Sequence, residues 1–141
     1  MDRISDITHA IQLAVAPVFL LTAIATLISV TNMRLGRIVD RRRVLYGRQA
    51  EGATTPEHEQ ELASLDRRSL LIYRAMLCEV LSGLLVCLVV ASAFVGPMLG
   101  VEMAHTVALL FILAMGTMIL GLSLFLREVY LAVQSQGHRR L

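Results

Sequence analysis

AIQLAVAPVFLLTAIATLISVTNMRLGRIVDRRRVLYGRQ, residues 10–49, changes character once, at Arg34. Residues 10–33 carry no charge, and the next sixteen carry six arginines. The hydrocarbon core of a bilayer is crossed by a helix of about 20 apolar residues, and the uncharged run is long enough. Two further runs have the same character: VLSGLLVCLVVASAFVGPML (80–99) and MAHTVALLFILAMGTMILGLSLFL (103–126). The fold class implied is all-α and integral to a membrane. Three transmembrane helices are placed at 10–33, 75–97 and 103–126, within a single membrane domain covering 1–141. The second span reaches back to Ala75 by admitting Glu79. Composition excludes an ordinary soluble domain: 56% of residues are hydrophobic and 17% charged, against roughly 45–50% and 25% for soluble chains.

The first run is too long for the ~7–15-residue apolar region of a signal peptide. Its flank MDRISDITH has two acids and one arginine, so it reads as a retained span. Orientation follows from arginine, since the chain has no lysine. Nine arginines lie in 34–74, with Arg127, Arg139 and Arg140 in the tail, against Arg3 alone on the other side. The positive-inside rule puts 34–74 and the tail 127–141 in the cytoplasm and the N-terminus outside.

The arginine-rich segment keeps a helical rhythm, with Leu35, Ile38, Val39, Arg42, Leu45 and Tyr46 at three- and four-residue steps. The first helix is therefore predicted from about 9 to 49. EGATTPEHEQ makes the turn; Thr54 or Thr55 caps the next helix, Pro56 fits its first turn, and Glu57 and Glu59 suit its dipole. Leu62, Leu65, Ile72 and Met76 then form an apolar stripe running into the second span. Folding at residue 53 gives an antiparallel cytoplasmic hairpin, 34–74. It sets Arg48 opposite Glu57 and Glu59, Arg41–Arg43 opposite Glu61 and Asp66, and Asp40 opposite Arg67. With six acids counted, 34–74 nets three positive charges, too few for a nucleic-acid face. The cluster Arg37, Asp40, Arg41, Arg42 and Arg43 reads as a topology signal and hairpin seam. Anionic headgroups at Arg34, Arg37 and Arg41, or a cytosolic protein, are the partners left.

APVFLLTAIATLI (16–28), RLGRIVDRRRVL (34–45), RRSLLIYRA (67–75) and LFLREVYLA (124–132) together resemble a family of small bacterial membrane proteins known as a domain of unknown function, number 2721. Pro17, Arg74 and Glu128 fall where the pattern of that family has them. The resemblance implies three spans with a cytoplasmic hairpin, and a location in the bacterial inner membrane. It implies no activity, substrate or cofactor.

Enzyme motifs are missing: no Walker loop, no GxGxxG and no HExxH, since HEQEL (58–62) lacks the second histidine. Three other features invite a site. Gln12, Ala16, Phe19, Thr22, Thr26, Ser29 and Asn32 form a polar or small stripe on the first span. Close helix packing uses such residues; so does an aqueous path, with Arg34 or Arg37 as an anion-favouring ring. Glu79, about one turn inside the membrane, comes near Ser29, Asn32 and Arg34 when the first two spans are aligned, so an Arg34–Glu79 pair is expected. At the outer surface Asp6 and His9 begin the first span and Glu102 and His105 the third. Two carboxylates and two imidazoles suit zinc or a related divalent metal, or merely cap two helices. Cys78 and Cys87 lie two and a half turns apart and cannot bridge. The expected function is a non-enzymatic homo-oligomeric channel or transport-like assembly with the first span nearest the axis. The alternative is an adaptor whose hairpin docks a protein or anionic lipid.

Overall fold

The computed structural model describes residues 2–52, 55–100, 102 and 104–137, with side chains described for 12, 15–52, 55–96, 99, 100, 102 and 104–134. Three helices follow one another: α1 (Asp2–Ala50), α2 (Pro56–Leu99) and α3 (Ala104–Gly137). At ~1.5 Å per residue, each is longer than a bilayer core is thick. All three are long and apolar enough to cross a membrane. The arginine-rich arm and the first apolar run are one continuous helix, and so are the acidic arm and the second run.

The turn between α1 and α2 forms as its residues require. Glu51 N–H donates to the Gly47 carbonyl at 3.3 Å and Gly52 N–H to that of Gln49 at 3.1 Å. Gly52 then takes a φ of +79°, the left-handed conformation that ends helices and that glycine adopts without strain. The Thr55 carbonyl starts α2 by accepting from His58 and Glu59, and Pro56 occupies the first helical position.

What holds the three helices together is a repeat of seven. On α1, Ile24, Thr31, Ile38 and Leu45 are buried; on α2, Leu65, Ile72, Glu79 and Val86; on α3, Ala114, Gly121 and Glu128. A second line interleaves at the same interval: Arg68, Ala75, Ser82 and Val89 on α2, and Leu110, Thr117, Leu124 and Leu131 on α3, each buried or half-buried. A strict seven-residue repeat keeps helices in contact by left-handed winding. Helix α2 is central and antiparallel to both neighbours. Near the arginine-rich end Leu35, Ile38, Leu45, Leu65 and Ile72 form one core; toward the other end Ile24, Val86 and Ala114 form a second.

Outside this seam the spans are apolar and uncovered. Phe19, Leu77, Leu84, Phe94, Leu109, Ile112, Ile119 and Leu120 are all exposed. An apolar surface that large is untenable in water, at roughly 25 cal/mol per Å². It is the surface of a multi-pass membrane protein.

Candidate functional site

The polar side chains that matter are built onto the repeat itself. Glu128 of α3 is fully buried, with 0% of its side chain exposed, yet it is ionically paired on both oxygens. Arg34 of α1 donates from Nη1 to Oε2 at 2.7 Å. Arg68 of α2 donates from Nε and Nη2 to Oε1 at 3.2 and 2.9 Å. One carboxylate thus joins all three helices. Arg34 also lies over the Phe125 ring, 5.4 Å from its centroid, which adds a cation–π contact to the α1–α3 junction.

This overturns the expected Arg34–Glu79 pair. Thr31, not Arg34, comes level with Glu79. The Arg34 side chain turns toward the polar end of the bundle, where its guanidinium keeps water (37% exposed) and meets a carboxylate. Long cationic side chains behave this way at membrane boundaries. Glu79 is left buried, 1% exposed, with Thr31 Oγ1 at 3.1 Å from Oε1 and no partner on Oε2. Further along, Ser82 donates to the Ala114 carbonyl at 2.8 Å, tying α2 to α3. Gly121 faces the same level: a Cβ there would stand 3.3 Å from Ala75 O, Cys78 Cβ and Glu79 Cγ.

The hairpin seam forms in part as expected. Arg41 grips Glu61 through Nε at 2.8 Å and Nη2 at 3.2 Å, and Arg42 pairs with Asp66 at 2.9 Å. The Glu61 hydrogen bond holds the Arg41 guanidinium above its ordinary pKa. The other expected pairs do not form: among the described residues Asp40, Arg48 and Arg67 make no ion pair and stay exposed, as do Arg37 and Arg43. The arginines that close pairs, Arg41 and Arg42, are partly buried, whereas Asp40, Arg48 and Arg67 are exposed to water. Exposed pairs contribute little, ~0–1 kcal/mol each. Arg41→Glu is therefore expected to lower thermal stability in detergent by under about 1 kcal/mol, and adding Glu61→Arg to restore it; melting curves of the single and double variants check both.

The stripe on α1 is entirely on the outside. Gln12, Ala16, Phe19, Thr22, Thr26, Ser29 and Asn32 are all exposed, Phe19 to 71%, and none faces α2 or α3. Thr22 and Thr26 donate to the carbonyls of Val18 and Thr22, four residues back. At the end away from the arginines, Val89, Ala93, Gly96, Ala104, Ala108 and Phe111 line an apolar cleft of about 770 Å³ between α2 and α3, with Glu102 at its edge. Glu102 and His105 are exposed. Asp6 and His9, the other half of the metal reading, lie outside the described side chains. Among the described residues no three His, Cys, Asp or Glu converge on a metal-sized space. Cys78 and Cys87 are both free.

The decisive comparison is with family models. The model described as "Protein of unknown function (DUF2721)" matches residues 14–137. The chain belongs to this family. The matched DUF2721 segment takes in most of α1, all of α2 and α3, the Glu128 clamp and the α1 stripe from Ala16 onward. No curated protein matches the chain, and no solved structure does.

Sequence reasoning singled out Glu128 but missed Arg68, Thr31 and Ser82. All three occupy the seven-residue lines that also hold Ile24, Ile38, Ala75 and Val89. That interval was present in the sequence, but in a lipid-facing helix the apolar residues outside the seam mask it.

Proposed function

We propose that this DUF2721 protein is a non-enzymatic, homo-oligomeric membrane assembly of channel or transport type, with α1 nearest the axis. Its setting is the bacterial inner membrane, with the arginine-rich end in the cytoplasm and the N-terminus outside. The observation that carries the reading is the outward stripe on α1. Among the described residues its small and polar side chains are exposed, covered by neither α2 nor α3; at Gly36, in line with it, an added Cβ would meet nothing within 4 Å. The Thr22 and Thr26 hydroxyls are satisfied by their own helix. Ser29 and Asn32 have no hydrogen-bonding partner among the described residues, and leaving such groups against acyl chains is costly. Other copies of α1, or water held between them, relieve that cost. Arg37, exposed beyond Asn32, then sets an anion preference at the cytoplasmic mouth.

Single cysteines at positions 22, 26 and 29, in a background lacking Cys78 and Cys87, test the wet face. Water-soluble thiol reagents should modify them at least tenfold faster than a cysteine at Ile112, on the lipid-facing side of α3. Equal, slow labelling at all four positions would rule out an aqueous path.

A second reading has its own observation. Val44, Tyr46, Leu70 and Tyr73 are exposed on the hairpin beside Arg37, Arg43 and Arg48, a mixed apolar and basic surface suited to an adaptor. Arg41 and Arg42 are engaged within the hairpin, so charge reversal at Arg37, Arg43 and Arg48 is the cleaner probe. It should release a bound partner, or weaken binding to anionic vesicles, without unfolding the protein.

A further inference from the structure

We propose that Glu79 is a proton-binding site, and that release of its proton draws the Arg34 guanidinium from Glu128 to the ionised carboxylate. The first ground is an accounting of hydrogens. Thr31 Oγ1 lies 2.9 Å from the Leu27 carbonyl and 3.1 Å from Glu79 Oε1, but a hydroxyl has one hydrogen to give. Given to the helix carbonyl, the shorter of the two contacts, it is not available to Glu79. The contact to Oε1 is then a hydrogen bond only if Glu79 carries the proton and donates to Thr31. In that form the partnerless Oε2 is a carbonyl oxygen rather than half of a buried, unpaired anion.

The second ground is the placement of charge. From α1, Glu79 is faced by Thr31 and, one turn further on, by Arg34. From α3 it is faced by Gly121, which has no side chain, and beyond it by Glu128. On α2 Cys78 stands beside it, and the nearest arginine on its buried face, Arg68, lies about three turns away toward the arginine-rich end. Glu128 holds two cations on one carboxylate, while Glu79 has none. Arg68 binds Glu128 through two N–H groups, so Arg34 can leave without orphaning that carboxylate. On deprotonation the Glu79 O–H bond breaks, its electron pair stays on the carboxylate, and the proton passes to water at the arginine-rich end, which the half-exposed Arg34 side chain reaches. Two arginines then face two carboxylates, one each. Because Arg34 is the link from α1 to α3, the exchange moves α1 against α3. The proposal does not depend on self-association and holds for a single chain.

Infrared spectra of the full chain in lipid nanodiscs, titrated with pH, read the first half. A protonated-acid carbonyl band should be present at neutral pH, missing in Glu79→Gln, and replaced by carboxylate absorption as pH rises. Spin labels on cysteines at the exposed positions Met33 and Leu126, with Cys78 and Cys87 replaced by alanine, read the second half. The α1–α3 distance should change over the same pH interval, and stay fixed in Glu79→Gln. Absence of a band that Glu79→Gln removes would overturn the proposal, as would a distance that is constant with pH or changes equally in Glu79→Gln. Should Glu79→Gln fail to fold, Thr31→Val must shift the band by removing its hydrogen-bond partner; an unshifted band also overturns the assignment.

Discussion

Glu128→Ala is expected to lower stability in detergent by on the order of 2–4 kcal/mol, the largest loss from any single polar substitution in the chain. Removing one member of a buried ion pair costs ~3–5 kcal/mol because the partner charge is left behind. Here two charges are left. The lower end of the range reflects the water that Arg34 and Arg68 keep, since their side chains are 37% and 19% exposed. Glu128→Gln should cost less, because the amide oxygen still accepts one hydrogen bond. Double-mutant cycles separate the two arms. Coupling to Arg68 should exceed coupling to Arg34, since Arg68 makes two hydrogen bonds to Glu128 and is the less exposed. Thermal unfolding followed by circular dichroism checks the ordering. Equal stability of Glu128→Ala and the native chain would mean that the three helices are held by apolar packing alone.

The second large effect is at Gly121. A methyl group there meets three atoms of α2 at 3.3 Å, one of them the Ala75 backbone carbonyl, which cannot swing aside. Gly121→Ala should therefore destabilise by about 1 kcal/mol, despite alanine's better helix propensity, and Gly121→Leu by about 3 kcal/mol or more. Glu79 and Cys78 sit at the same contact, so the α2–α3 separation should widen measurably in the leucine variant. Gly116 is the control. A Cβ added there would meet nothing within 4 Å, so Gly116→Ala should be neutral or slightly stabilising. Parallel melting of the three variants gives the comparison.

Much of the architecture was legible because it follows from long-range composition. Uncharged runs gave the spans, and the helical rhythm from Leu35 to Tyr46 carried α1 through the arginines to Ala50. The turn was legible from glycine, threonine and proline chemistry. The expected charge seam closed only at the partly buried arginines, in Arg41–Glu61 and Arg42–Asp66. Pairing rules based on opposite signs could not tell these from Asp40–Arg67, because exposed ions of either sign are content in water. The polar core was harder still. Whether Arg34 meets Glu79 or Glu128 depends on a third helix far along the chain, and on a side chain long enough to choose. The outward orientation of the α1 stripe was likewise hidden: small and hydroxylated residues serve an internal helix contact as readily as an external one, and only the packed bundle separates the two.

The account depends most on that stripe being a meeting face between copies. Disulfide cross-linking in lipid tests it directly: Thr26→Cys, in a chain without Cys78 and Cys87, compared with Ile112→Cys in the same background. The account predicts covalent dimers for Thr26→Cys under mild oxidation and little or none for Ile112→Cys. A chain that stays monomeric in native lipid, with both positions cross-linking equally poorly, would contradict it.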